Sequence, residues 1–175
     1  MKKVSLILAL ACILTITVMA QQRSGGQGGI QNFMRVNTEF CTGGQPTPAQ
    51  LAELKAQGIT TILNLRVPGE AGFDAAAEEA ETKKLGMKYF LIPVQGQAPK
   101  DEQADEFLKI TDNAQNRPVF IHCGSANRVG AFFMIRRVLR DGMTFDAAKA
   151  EADKIGLRSA ALADFAKQYI EKHKK

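Results

Sequence analysis

Three cysteines and two histidines in 175 residues are too few side chains of the metal-binding type to suggest a structural zinc site. The same scarcity excludes a small fold stapled by disulfides, and the length allows a core that needs no such support. There is no internal repeat and no block of basic residues. Lysine and arginine exceed aspartate and glutamate by 23 to 18, a net charge of +5, yet the charges are scattered, so nucleic acid is not an expected partner. What remains, 45% hydrophobic and 23% charged, is the composition of an ordinary globular domain.

Residues 1–20, MKKVSLILALACILTITVMA, place two lysines before an uncharged apolar run that ends in Val18-Met19-Ala20. This is the pattern of a secretory signal peptide cut before Gln21. It predicts a periplasmic or secreted chain with no stable membrane span after cleavage and a net charge of 5 − 2 = +3. An uncleaved anchor is the competing reading, because the run approaches the ~20 residues a span requires. Residues 21–34, QQRSGGQGGIQNFM, are rich in glycine and glutamine and read as a flexible leader. Cys41 and Cys123 are the only thiols beyond the signal segment.

From Val36 onward, short β-branched runs alternate with amphipathic ones, which predicts one domain over residues 35–175. The expected fold class is α/β, a three-layer α/β/α arrangement around a central, mostly parallel sheet. Strands are expected over 36–41, 59–65, 87–94 and 118–122. Thr47 and Pro48 mark a helix start and Gly58 its stop. Further helices are expected over 73–85, 101–114, from Val129, over 145–155 and over 160–173.

The chemistry concentrates in PVFIHCGSANRVGAFFMIRRVL, residues 118–139, where a buried strand delivers a cysteine into a short loop that opens a helix. The amides of such a loop and the positive end of the helix favour an anion. Gly124, Ser125, Ala126, Asn127 and Arg128 would form this anion-binding loop, with Arg128 as its cationic fork. The same field stabilises a thiolate at Cys123, making it the candidate nucleophile. His122 is placed to fix the loop rather than to exchange protons. A leaving alcohol would need a proton from a carboxylic acid on another loop. Asp101 is the first choice, with Glu70, Glu102 and Asp105 left open.

These residues resemble the bacterial dual-specificity-phosphatase-like members of the cysteine-based phosphatase superfamily. The resemblance spans FCTGGQPTPAQLAELKAQGITTILNLR at 40–66, the segment ending in LIPV, and VFIHCGSANRVGAFF at 119–133. It is strongest to the branch found beside β-lactamase-like hydrolases and NAD kinases. It implies a dual-specificity-phosphatase-like fold, Cys123 as nucleophile, Arg128 as phosphate ligand, and Gln45 and Arg66 as supporting residues near the loop. It also places Cys41 near the loop, either as a core thiol or as a reversible disulfide partner of Cys123.

Two departures bear on activity. The common signature of the superfamily has one residue more between cysteine and arginine, and it follows the arginine with a hydroxyl residue where this chain has Val129. Cysteine loops of the shorter length also occur in rhodanese-like sulfurtransferases. The expected function is a phosphomonoester hydrolase acting on a phosphorylated small molecule or phosphoprotein, with no metal or organic cofactor implied. A sulfurtransferase and a phosphate-binding module without turnover are the alternatives.

Overall fold

The computed structural model describes residues 29–174. The signal segment and the first part of the leader lie outside the described residues. Twelve elements follow in chain order, a count that includes one 3₁₀ turn. They are β1 (Met34–Arg35), β2 (Phe40–Gly43), α1 (Pro48–Ala56), β3 (Thr61–Asn64), α2 (Ala75–Lys84), β4 (Lys88–Leu91), α3 (Asp101–Asp112), a 3₁₀ turn (Ala114–Asn116), β5 (Val119–His122), α4 (Asn127–Leu139), α5 (Phe145–Ile155) and α6 (Ala160–His173).

The sheet order is β1-β2-β5-β3-β4. All pairs are parallel except β1 with β2 at the edge. β2, β5 and β3 are buried along their whole length, as parallel strands covered on both faces must be. One face packs on α3, α4, α5 and α6 through Phe40, Leu63, Ile121, Phe107, Phe132 and Phe133. The other packs on α1 and on the turn entering β4 through Ile62, Phe120, Leu51, Leu54 and Met87. α4 is buried almost all the way round, which its uninterrupted run VGAFFMI requires. α1 begins at a reciprocal cap, with the Thr47 hydroxyl accepting from the Gln50 amide and the Gln50 side chain accepting from the Thr47 amide.

Register places the working ends of the strands side by side. Gly43 of β2 and Asn64 of β3 both pair with His122 of β5, the last residue of that strand. The segments leaving these strands therefore emerge together at the carboxyl edge, where open α/β sheets hold their ligands.

Two expectations need correction. Residues 29–34 are packed, not flexible: Ile30 is buried against Phe120 in the core, and Phe33 stacks on Phe120 at 6.1 Å. Glycine and glutamine content hid two apolar anchors that the sheet can bury. Cys41 and Cys123 are both free thiols, and they belong to the cores on opposite faces of the sheet. Cys41 pairs with Phe120, three positions before Cys123, a separation of ~10 Å along the strand. Disulfides need Cα atoms within about 4.4–6.8 Å, so this geometry does not join them.

Close packing of α4 on α5 depends on Gly130. A Cβ there would lie 2.8 Å from the Ala152 carbonyl oxygen and 2.9 Å from the Leu157 Cβ. Exchanging helical glycine for alanine ordinarily stabilises by about 1 kcal/mol, but a backbone clash of this kind costs more. Gly130→Ala is expected to lose about 2 kcal/mol, a melting decrease of about 5 °C. Calorimetry checks it, and an unchanged or higher melting temperature would show that the helices part without strain.

Candidate active site

Cys123 follows the last residue of β5 and is 1% exposed. Its amide donates to the Gly43 carbonyl at 3.4 Å, and the Gln45 amide donates to the Gly124 carbonyl at 3.2 Å. Asn32 Nδ2 donates to the Ser125 carbonyl at 2.9 Å. The loop is thus laid against the segment leaving β2 and against the N-terminal residues. Ala126 then adopts φ +66°, a left-handed conformation that costs a side-chain-bearing residue roughly 1–2 kcal/mol. That turn sets the start of α4 behind Cys123. Local strain of this kind is held only where surrounding contacts fix it, and here Gly156 allows the approach: a Cβ on it would lie 3.1 Å from the Ser125 carbonyl oxygen.

The amides of Gly124, Ser125, Asn127, Arg128 and Val129 donate to no acceptor among the described residues. Those at the start of α4 are the unpaired donors every helix carries at its N-terminus. Together with the helix dipole they give the surroundings of Cys123 a positive potential.

Arg128 is fixed by the two segments that leave β3 and β4. Its Nη1 donates to Glu70 Oε1 at 2.5 Å and to the Val94 carbonyl at 2.9 Å, and its Nη2 donates to Glu70 Oε2 at 2.9 Å. These contacts use three of the five guanidinium N–H groups and leave Nε–H and one Nη2 hydrogen for another acceptor. Burial alone would lower the pKa of this group, but the Glu70 carboxylate, with Cys123 beside it, holds it above its ordinary value.

Glu70 also accepts from Arg66 Nε at 3.0 Å and from the Val67 amide at 2.9 Å. The Arg128 hydrogen bonds, opposed by desolvation and reinforced by Val67 and Arg66, bring its pKa down to about 2. Its stabilising contribution is therefore complete above its unfolded value of 4.5 and is lost as pH falls from there towards about 2. Because the carboxylate is 29% exposed, solvent screening reduces the effect to about 1–2 kcal/mol. Glu70→Gln should lose that amount at pH 7 in denaturant titrations and match the parent near pH 2. A gap that persists unchanged in acid would mean that charge is not the source.

Behind this pair lies a polar chain. Arg66 donates to Gln45 Oε1 at 2.9 Å and to the carbonyls of Ala71 and Gly72, and its guanidinium lies over the Phe73 ring. Gln45 Nε2 donates to Glu78, and Asn64 Nδ2 donates to the same carboxylate at 3.0 Å. Burial would raise the pKa of Glu78, but hydrogen bonds from His122, Gln45 and Asn64 outweigh it and hold the group ionised. An ionised carboxylate only accepts, so His122 Nε2, 2.9 Å away, is the donor. His122 is fully buried and its Nδ1 has no partner among the described residues. It holds the end of β5 and does not reach the recess.

A recess of about 300 Å³ opens over this arrangement, lined by Glu70, Gly96, Gln97, Cys123, Ser125, Asn127, Arg128, Ser159 and Leu162. Asn127 Oδ1 accepts from the amides of Arg158 and Ser159 at 2.9 and 3.2 Å, tying the loop to the connection between α5 and α6. A second recess of about 320 Å³ opens between α1 and α2 and does not include Cys123.

The structure brings Cys123, Gly124, Ser125, Asn127 and Arg128 together, with Ala126 as the buried turn beneath them. Gln45 and Arg66 support the loop through Glu70 and Glu78. Asp101 is not brought to the recess: it begins α3 and pairs with Lys172 at 2.6 Å. Asp105 accepts from Tyr169, and Glu102 is exposed; neither lines the recess. The expectation for Asp101 failed because adjacency to a loop in sequence does not say which way a helix N-terminus turns. Glu70 does line the recess, but as the brace of Arg128. Gln97, Ser159 and Glu78 were not foreseen. Only Ser159 had a local signal, as a helix-capping residue before Ala-Ala-Leu.

A family model described as DSP-PTPase phosphatase fused to NAD+ kinase matches residues 17–171. A beta-lactamase hydrolase-like protein of Agrobacterium fabrum is 30% identical over 108 residues, covering 61% of this chain and 25% of that protein. The chain spans about a quarter of the length of the curated relatives it matches. Among solved structures, the core catalytic domain of the PP-IP phosphatase SIW14 from S. cerevisiae aligns with a TM-score of 0.68 at 21% identity, covering 80% of this chain and 86% of that one. TpbA of P. aeruginosa aligns with a TM-score of 0.64 at 19% identity, covering 81% and 84%. At these identities the two structures establish the fold.

Proposed function

We propose, from the premise that this chain belongs to the family of DSP-PTPase phosphatases described as fused to NAD+ kinase, that it hydrolyses phosphomonoesters through a phosphocysteine on Cys123. The observation that carries the reading is the set of unpaired amides and the free edge of Arg128 gathered around one recessed sulfur. In this reading the thiolate attacks phosphorus in line with the ester oxygen. As charge spreads over the three equatorial oxygens, the loop amides and the Nε/Nη2 edge of Arg128 meet it without reorganising. Water then attacks the phosphocysteine and releases phosphate. Among the described residues Arg128 is the single cation lining the recess, which suits one phosphate group on its carrier.

Nothing in the loop places a hydroxyl at Val129, and breakdown of the intermediate is the slower step in this scheme. The test is to quench a reaction with para-nitrophenyl phosphate in acid and map the phosphoryl group. The expected result is an adduct on the peptide containing Cys123 that forms in a burst and disappears as substrate is exhausted. Phosphate release with no adduct and no burst would count against a covalent route. Sulfur transfer from thiosulfate to cyanide without phosphate release would replace this reading by the sulfurtransferase one. The apolar, lysine-headed N-terminal segment supports placing this chemistry outside the cytoplasm, as part of the same proposal.

A further inference from the structure

Among the described residues, the recess around Cys123 holds a candidate nucleophile and an anion cradle but no carboxylic acid, imidazole, ammonium or phenol free to protonate a leaving group. Its one lining carboxylate is Glu70, and both oxygens of that group are committed to Arg128, with Arg66 and the Val67 amide as further donors. A carboxylate clasped by two guanidiniums would forfeit those bonds on taking up a proton. Asp101 is engaged by Lys172 and Asp105 by Tyr169, away from the recess. The sequence has no aspartate or glutamate before Glu39, so the undescribed N-terminal residues add none. Among the described residues no histidine, lysine or tyrosine lines the recess, and His122 is turned to Glu78.

We infer that the site selects its substrates by the stability of the departing oxygen, favouring phosphates of acidic phenols and enols and acyl phosphates over alkyl phosphates. The inference rests on the phosphocysteine reading and specifies its substrate class. In the first step the Cys123 sulfur forms the S–P bond while the P–O bond breaks, and that electron pair leaves with the oxygen as an anion. No proton moves within the protein. In the second step water forms a new P–O bond, the P–S bond breaks, the thiolate returns, and the proton of the water passes to the phosphate released. A positioned general acid ordinarily contributes roughly 10²–10⁴-fold to such a step. Without one, that factor falls on the leaving group, and alkyl esters bear it fully.

The experiment measures kcat/KM of the reduced protein for para-nitrophenyl, phenyl and acetyl phosphates and for glycerol phosphate, with Asp101→Asn alongside. The expected result is a fall of roughly 10³-fold or more from para-nitrophenyl phosphate to glycerol phosphate, with acetyl phosphate among the good substrates. Asp101→Asn should reproduce every value, since its pairing with Lys172 is an exposed contact that contributes little to stability. Glycerol phosphate cleaved within about tenfold of para-nitrophenyl phosphate would overturn the inference. So would an Asp101→Asn protein that loses about 10²-fold or more on phenyl phosphate while sparing para-nitrophenyl phosphate, the signature of a general acid. Failure to cleave any of them, para-nitrophenyl phosphate included, would strike the phosphatase reading itself and this inference with it.

Discussion

Phosphate release by the Cys123→Ser protein is expected to fall by roughly 10⁴-fold or more while the fold persists. The substitution keeps size and shape but replaces a thiol by a hydroxyl that stays protonated at neutral pH. The carboxylate lining the recess, Glu70, is bound by Arg128 and Arg66, and His122 is turned to Glu78, so neither is free to take that proton. The loop should not collapse, because it is held by backbone contacts that the exchange leaves alone. These are the Cys123 amide on Gly43, the Gln45 amide on Gly124, and Asn32 on Ser125. The melting temperature should therefore move by no more than a few degrees, and sulfate or vanadate should still bind, since the unpaired amides and Arg128 remain. Paired turnover and anion-binding measurements separate the outcomes. Retention of a tenth or more of the parent rate would mean that Cys123 is not the nucleophile.

Arg128→Lys keeps the charge and is nonetheless expected to cost roughly 10³-fold in kcat/KM. The guanidinium performs two tasks at once: one end grips both oxygens of Glu70 and the Val94 carbonyl, and the remaining edge faces the sulfur. An ammonium has three donors around one point and cannot span Glu70, Val94 and a phosphate together. It would sit with Glu70, leaving the equatorial oxygens to the amides alone. Affinity for sulfate should drop in parallel with turnover of para-nitrophenyl phosphate. A lysine protein within about tenfold of the parent would show that charge, not the shape of the fork, is what Arg128 supplies.

Much of this arrangement is legible in the sequence because it is local. The strand Val119–His122, the loop and the start of α4 are contiguous, so a buried run, a cysteine and an arginine five positions on already point to a candidate anion site. α1 is legible for a similar reason, as Thr47, Pro48 and Gln50 write its beginning. What the sequence could not display is which distant groups meet. Glu78 stands in the run Ala75–Lys84 beside Glu79 and Glu81, and nothing in that alanine- and glutamate-rich pattern sets it apart. It is buried because α2 packs it opposite His122 and Asn64. Glu70 is one of the carboxylates the sequence leaves open as an acid; it lines the recess, and its pairing with Arg66 and Arg128 joins positions whose meeting the sequence does not display. Cys41 shows the effect of strand alternation: three positions of offset put it and Cys123 on opposite faces, which proximity in the fold alone conceals.

The packed N-terminal residues have a practical consequence for how the protein is processed and handled. Ile30 fills the space a side chain on Gly43 would occupy, its Cγ2 lying 2.9 Å from that position. The Gln31 carbonyl accepts from the Gly44 amide at 2.7 Å, and Asn32 reaches the Ser125 carbonyl. This short segment is a wedge driven under the loop from outside the sheet. Trimming by an exoprotease or a shortened gene that starts at Arg35 would withdraw it, exposing Phe120 and freeing two backbone groups. Such a product would keep every candidate catalytic side chain and still lose the shape of the cradle around them.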